Sequence, residues 1–125
     1  MKTAFLAVTA LLAVPAYADW TTLVEDDSGT AYLDPASIRA TADLRRVWHL
    51  FDRKKPIENR ALSIAALVEI DCKEGRVHLL QVNGYQGHMA TGGVIAVQSE
   101  ATPWQYIVPG SSDDAIEKNV CAPGR

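Results

Sequence analysis

The chain has 125 residues and a mass of 13.6 kDa, with 48% apolar and 22% charged side chains, enough for one small domain. That balance excludes a disordered tail, a collagen-like repeat and a coiled coil. Twelve Lys and Arg against fifteen Asp and Glu give a net charge of −3, which argues against a general nucleic-acid binder, whose signature is a basic excess.

The N-terminal residues carry an export signal. Lys2 supplies a positive start, Ala4 to Ala13 form a short apolar run, Pro15 breaks it, and Ala16-Tyr17-Ala18 fits an A-x-A cleavage site. Spanning a bilayer takes roughly 20 apolar residues, so the run predicts a signal peptide over 1–18 rather than an anchor. No Cys follows it for lipid attachment. Residues 19–125 are then expected to form an exported domain, periplasmic or at the cell surface. That domain has no membrane span, no lipid anchor and a net charge of −4, from eleven basic and fifteen acidic groups.

Period-2 alternation dominates this domain. Trp20, Thr22 and Val24 share one face of a first strand, and Glu25 to Gly29 is turn chemistry. Thr30 to Asp34 is a second strand. Asp34 as N-cap with Pro35 at the first position predicts a helical turn through Ile38. Leu44 to Phe51 reads as a strand with mixed faces, followed by the polar, basic loop Asp52 to Arg60. Ala61 to Asp71 is long enough for a helix, but Leu62, Ile64, Ala66, Val68 and Ile70 alternate with more polar positions, so it reads as a long strand. Lys73-Glu74-Gly75 turns it into a partner strand, Arg76 to Val82. Asn83 to Gly93 is glycine-rich and reads as a mobile loop, and Val94 to Gln98 and Trp104 to Val108 are the last strands. Ser111 with Asp114 resembles a capping box, opening a short helix whose Ile116 and Val120 share a face. The fold class expected is α+β: an antiparallel sheet of about six strands, a short C-terminal helix and one disulfide. Connections this short leave no room for the crossovers of a parallel sheet.

Cys72 and Cys121 are the two cysteines. In an oxidising compartment such a pair reads first as a disulfide. The alternatives are a metal pair, for which the usual C-x-x-C spacing is missing, and a catalytic thiol.

Catalytic patterns are sparse. There is no G-x-S-x-G, and Gly87 to Gly93 lacks the Lys and the following helix of a phosphate loop. The paired carboxylates Asp26-Asp27 and Asp113-Asp114 fit a turn and a helix start. His49 and His78 fall in strands and His88 in the glycine-rich loop, with no Asp, Glu or Cys at metal-ligand spacing. No enzymatic activity, cofactor or metal is expected. Arg53, Lys54, Lys55 and Arg60 gather four positive charges on one loop of an acidic chain. They are either a solvated, solubilising loop or a contact for an acidic partner. Tyr85 offers an aromatic anchor, or a ring covering the sheet edge.

A wider set of residues resembles the surface-adhesin protein E-like family. It comprises Trp20, Tyr32-Leu33-Asp34, Ser37-Ile38, Val47-Trp48, Asp52, Ser63 and Ile70-Asp71-Cys72, followed by Trp104, Ile107, Pro109-Gly110-Ser111 and Val120-Cys121. The resemblance spans nearly all of the exported part, although each motif is short. It implies a small secreted α+β domain with bridged cysteines, and surface adhesins that bind host matrix proteins such as vitronectin and laminin. The chain departs from that pattern in having no lipid-attachment Cys. The expected function is therefore a non-enzymatic exported domain that binds an extracellular-matrix or envelope protein or an acidic glycan. A periplasmic small-molecule or metal-binding carrier, using His88 and loop 83–93, is the alternative.

Overall fold

The first hairpin closes where the turn chemistry lies. In the computed structural model, which describes residues 19–56 and 60–121, Asp26 accepts from the backbone N–H of Ser28 at 2.8 Å and of Gly29 at 3.3 Å. This turn joins β1 (Thr21–Asp26) to β2 (Gly29–Leu33). Gly29 is required there because a Cβ would collide with the backbone carbonyl of Asp52 on the neighbouring strand. The predicted leader, 1–18, lies outside the described residues, as do 57–59 of the basic loop.

Asp34 caps the next turn as expected, its carboxylate accepting from Ala36 N–H at 3.2 Å. The turn is a single 3-10 turn, Pro35–Ser37. A short strand follows, β3 (Arg39–Thr41), which pairs with the start of β4 (Leu44–Arg53). The sequence pattern gives no sign of β3 because all three of its residues are exposed, leaving no alternation to read. Then come β5 (Ser63–Asp71), β6 (Arg76–Tyr85), β7 (Val94–Gln98), β8 (Gln105–Tyr106) and helix α1 (Ser112–Val120).

Every pairing is antiparallel. The main path runs β1-β2-β4-β5-β6-β7, with β3 beside β4 and β8 beside β6. The architecture is the α+β class expected. Strand β4 runs on through Asp52 and Arg53, which were expected in the basic loop, β5 starts at Ser63 rather than Ala61, and two larger differences stand beside these. β6 continues through Asn83, Gly84 and Tyr85, because Gly84 pairs with Ile64 and Ala96 while Tyr85 pairs with Ser63. The strand expected over Trp104 to Val108 shrinks to two residues that pair only with Arg76 and Val77.

Register gives the sheet two distinct faces. Val47, His49 and Phe51 share one face with Ile64, Ala66, Val68 and Ile70 of β5 and Val77, Leu79 and Val82 of β6. Helix α1 lies on this face and packs the fully buried Ile116 together with Val120 against Val47, Val68 and Ile70. Ser111 caps the helix, accepting from Asp114 N–H at 3.2 Å. Asp114 returns a bond to Gly110 N–H at 2.9 Å and pairs with Lys118 at 3.2 Å. The Cys72–Cys121 disulfide fastens the end of α1 to the end of β5, with both cysteines inside the core. A nine-residue helix is marginal alone in water, so this tether and the apolar pair hold it in place.

Candidate binding surfaces

The basic residues converge at one end of the sheet. Arg53 ends β4 and lies over the Phe51 ring, 5.7 Å from its centre, on the helix-covered face. Lys54 and Lys55 follow, both exposed. The return limb is tied back by Arg53 N–H donating to the Leu62 carbonyl at 2.8 Å, which places exposed Arg60 beside the same strand end. Arg60 takes a left-handed backbone, φ 69°.

The glycine-rich segment packs against this same end. Asp52 accepts from Met89 N–H at 2.9 Å and lies 3.1 Å from His88 Nδ1. Ser63, wholly buried, donates to the Gly87 carbonyl at 2.6 Å and accepts from Ala90 N–H at 2.9 Å. The expected loop over 83–93 is thus a shorter loop over 86–93, bonded to β4 and β5 at four points. Met89 and Ala90 have left-handed backbones, φ 56° and 60°, and these side-chain bonds hold the conformation. His88 has one acidic neighbour, Asp52, and no group of three His, Cys, Asp or Glu able to hold a metal occurs among the described residues. A Ser63→Ala variant leaves two backbone groups of the loop unpaired. It is expected to lower the unfolding free energy by about 2 kcal/mol, read as a shift in the urea midpoint.

Tyr85 belongs to β6, not to the loop, and lies on the opposite sheet face from Arg53, since Tyr85, Ser63 and Asp52 are cross-strand partners. There it lines an open groove of about 890 Å³ with Trp48, Asn83 and Trp20. Residues Met89 to Thr91 form one rim. The structure therefore brings the four basic residues, loop 86–93 and Tyr85 to the same sheet end, with Arg53 on the helix-covered face and Tyr85 on the other face beside Asp52 and Ser63, which anchor the loop.

Further along that face a charged ladder crosses three strands. Arg46, Glu69 and His78 are successive cross-strand partners. Arg46 Nε lies 3.0 Å from one Glu69 oxygen and His78 Nε2 lies 2.7 Å from the other. Burial acts to raise the Glu69 carboxyl pKa, but the hydrogen bonds from His78 and Arg46 outweigh it and hold the value below the ordinary one. Trp104 stacks on His78 with ring centres 3.7 Å apart, and the Arg76 guanidinium sits 4.7 Å from the Trp104 ring. His78 Nδ1 faces the Thr102 carbonyl at 3.1 Å, and the Thr102 hydroxyl accepts from Leu79 N–H at 2.9 Å. Both ring nitrogens and the nearby hydroxyl are occupied by structural bonds, so the His–carboxylate pair fixes the segment 102–106 onto β6.

The helix-covered face is not filled. Beyond Ile116 a cavity of about 430 Å³ opens between the start of α1 and the Thr102–Gln105 segment, lined by Phe51, Ile64, Val68, Val82, His49 and Asp113. His49 Nε2 is buried and has no hydrogen-bond partner among the described residues. Burial pushes its pKa down to about 4 from 6.5, and burial likewise raises that of Asp113.

Asp52, Ser63, His49 and the Arg46–Glu69–His78 ladder were not singled out as site residues by pattern alone. Their roles depend on strand register and on distant partners, neither of which leaves a periodic trace. Asp52 and Ser63 do stand among the residues that carry the family resemblance, which was the one available signal.

The sequence profile of the family described as Surface-adhesin protein E matches residues 20–122. No curated protein matches the chain at a significant level of sequence similarity. Among solved structures, protein E of Haemophilus influenzae superposes with a TM-score of 0.66 at 12% identity, covering 91% of this chain and 90% of that one. A second crystal form of that protein gives a TM-score of 0.67 at 12% identity, over 94% of this chain and 96% of the other. Protein E from non-typeable Haemophilus influenzae gives 0.59 at 13% identity, over 89% and 80%. These likenesses agree with the fold described above. The match over residues 20–122 places this chain in the surface-adhesin protein E family.

Proposed function

We propose that this chain is an exported, non-enzymatic adhesin-type domain, freed of a leader at 1–18, that binds an acidic glycan or an acidic segment of an extracellular-matrix or envelope protein. The basic end of the sheet is the contact surface. The observation that carries this reading is the gathering of Arg53, Lys54, Lys55 and Arg60 at one sheet end of a chain whose net charge is −3. Such a local reversal of sign attracts an anionic partner although the whole molecule does not. Loop 86–93, bonded to Asp52 and Ser63, gives that end a defined shape, and Tyr85 supplies an aromatic contact for a partner that wraps over it. Membership of a surface-adhesin family supports the adhesin class. No helix among the described residues is long and apolar enough to cross a membrane.

A variant with Arg53, Lys54, Lys55 and Arg60 all changed to Ala tests the assignment. It is expected to bind heparin or matrix proteins about tenfold more weakly, and to lose most of the salt dependence of the wild-type interaction. Retention and salt dependence equal to wild type would show that the four charges serve solubility alone.

A further inference from the structure

We propose that the cavity on the helix-covered face binds a small amphipathic amine, with Asp113 as its counter-ion, His49 as a second acceptor, and Phe51, Ile64, Val68 and Val82 enclosing its apolar body. The site is separate from the basic end. Its volume, about 430 Å³, falls in the range of small-molecule sites, and its walls are mainly aliphatic and aromatic with few polar groups.

Two of those polar groups are His49 and Asp113. His49 Nε2 is buried without a hydrogen bond, and the half-buried Asp113 carboxylate on the same wall forms no ion pair with another described residue. The adjacent Asp114 differs sharply, since its carboxylate bonds Gly110 N–H and pairs with Lys118. The other imidazole on the wall, His78, has both ring nitrogens engaged by Glu69 and Thr102. The buried, unpaired His49 nitrogen in a mostly apolar wall is costly unless something supplies a donor. An ammonium group carries three donors and a positive charge, so it can satisfy the Asp113 carboxylate and a neutral His49 acceptor together. A carboxylate ligand would instead face Asp113 with like charge. An alcohol has one donor for two acceptors. Burial also disfavours charge on both groups, and an ammonium beside Asp113 relieves that for its carboxylate.

The experiment titrates the disulfide-bonded protein with 2-phenylethylamine, 2-phenylethanol and 3-phenylpropionate, followed by NMR. The amine is expected to saturate a site with shifts centred on His49, Phe51 and Val68, to bind about tenfold more tightly than the alcohol, and to outcompete the acid. An Asp113→Asn variant should lose that advantage, the amine then binding no more tightly than the alcohol. Equal affinities for amine and alcohol, or an advantage that survives in Asp113→Asn, would overturn the assignment. Absence of saturable shifts at those residues would overturn it too. The variant lacking Arg53, Lys54, Lys55 and Arg60 should bind the amine like wild type, which keeps this result independent of the proposed partner surface.

Discussion

Reducing the Cys72–Cys121 bridge is expected to lower the unfolding free energy by about 4 kcal/mol, because the 49-residue separation of its ends makes the cross-linked loop large. That is a major part of the roughly 5–15 kcal/mol that holds a domain of this size. The effect should be concentrated in α1. Once untied, a nine-residue helix keeps its Ser111 cap and the contacts of Ile116 and Val120, which are too few to hold it permanently on the sheet. Urea unfolding of the oxidised and reduced protein checks the magnitude, and amide hydrogen exchange checks the location. Exchange should accelerate first over Ser112 to Val120, while β4, β5 and β6 keep their protection. A bridge whose reduction leaves both measurements unchanged would mean that apolar packing alone secures the helix.

Acidification from pH 6.5 to about 4 is expected to cost the folded protein about 3 kcal/mol that a His49→Phe variant keeps. Burial lowers the His49 pKa from 6.5 to about 4, so across this window the unfolded chain takes up a proton that the folded chain refuses. Stability is therefore full above pH 6.5 and falls as the pH drops toward 4. The carboxylates of Asp26, Glu69, Asp71 and Asp114 are all held below their ordinary values of 4.5 for Glu and 3.8 for Asp, so their contributions begin to fade near those values and are lost below them, in wild type and variant alike. Asp113, on the same cavity wall, is shifted upward and acts in the opposite sense. Urea midpoints of wild type and His49→Phe at pH 7, 5.5 and 4 separate the His49 contribution from these groups. Curves that stay parallel would mean that His49 is solvated and protonates freely in the folded state.

The strands and the helix were legible because their signals are local. Alternation across Leu62 to Ile70 marks β5, Asp26 and Gly29 mark a turn, and Ser111 with Asp114 marks the start of α1. β3 was not legible because Arg39 to Thr41 is exposed on both faces. The end of β6 was misread because Gly84 looks like loop composition. In the sheet, however, its missing side chain lets Ala61 and Ala96 approach, each 3.4 Å from where a Cβ would stand. The basic residues were visible as a charge run, but the placement of Arg53 on the opposite sheet face from Tyr85 follows only from the pairing of Asp52, Ser63 and Tyr85. His49 and Asp113 are 64 positions apart, and nothing in a one-dimensional pattern joins them.

The most direct measurement of the partner surface is NMR mapping of a defined heparin oligosaccharide on the disulfide-bonded protein at low and at physiological salt. Shifts are expected to be confined to Arg53, Lys54, Lys55, Arg60 and loop 86–93, with weaker ones at Tyr85, all shrinking as salt rises. Shifts centred on Arg46, Arg76 and Trp104 instead, with the basic end silent, would contradict this assignment of the surface.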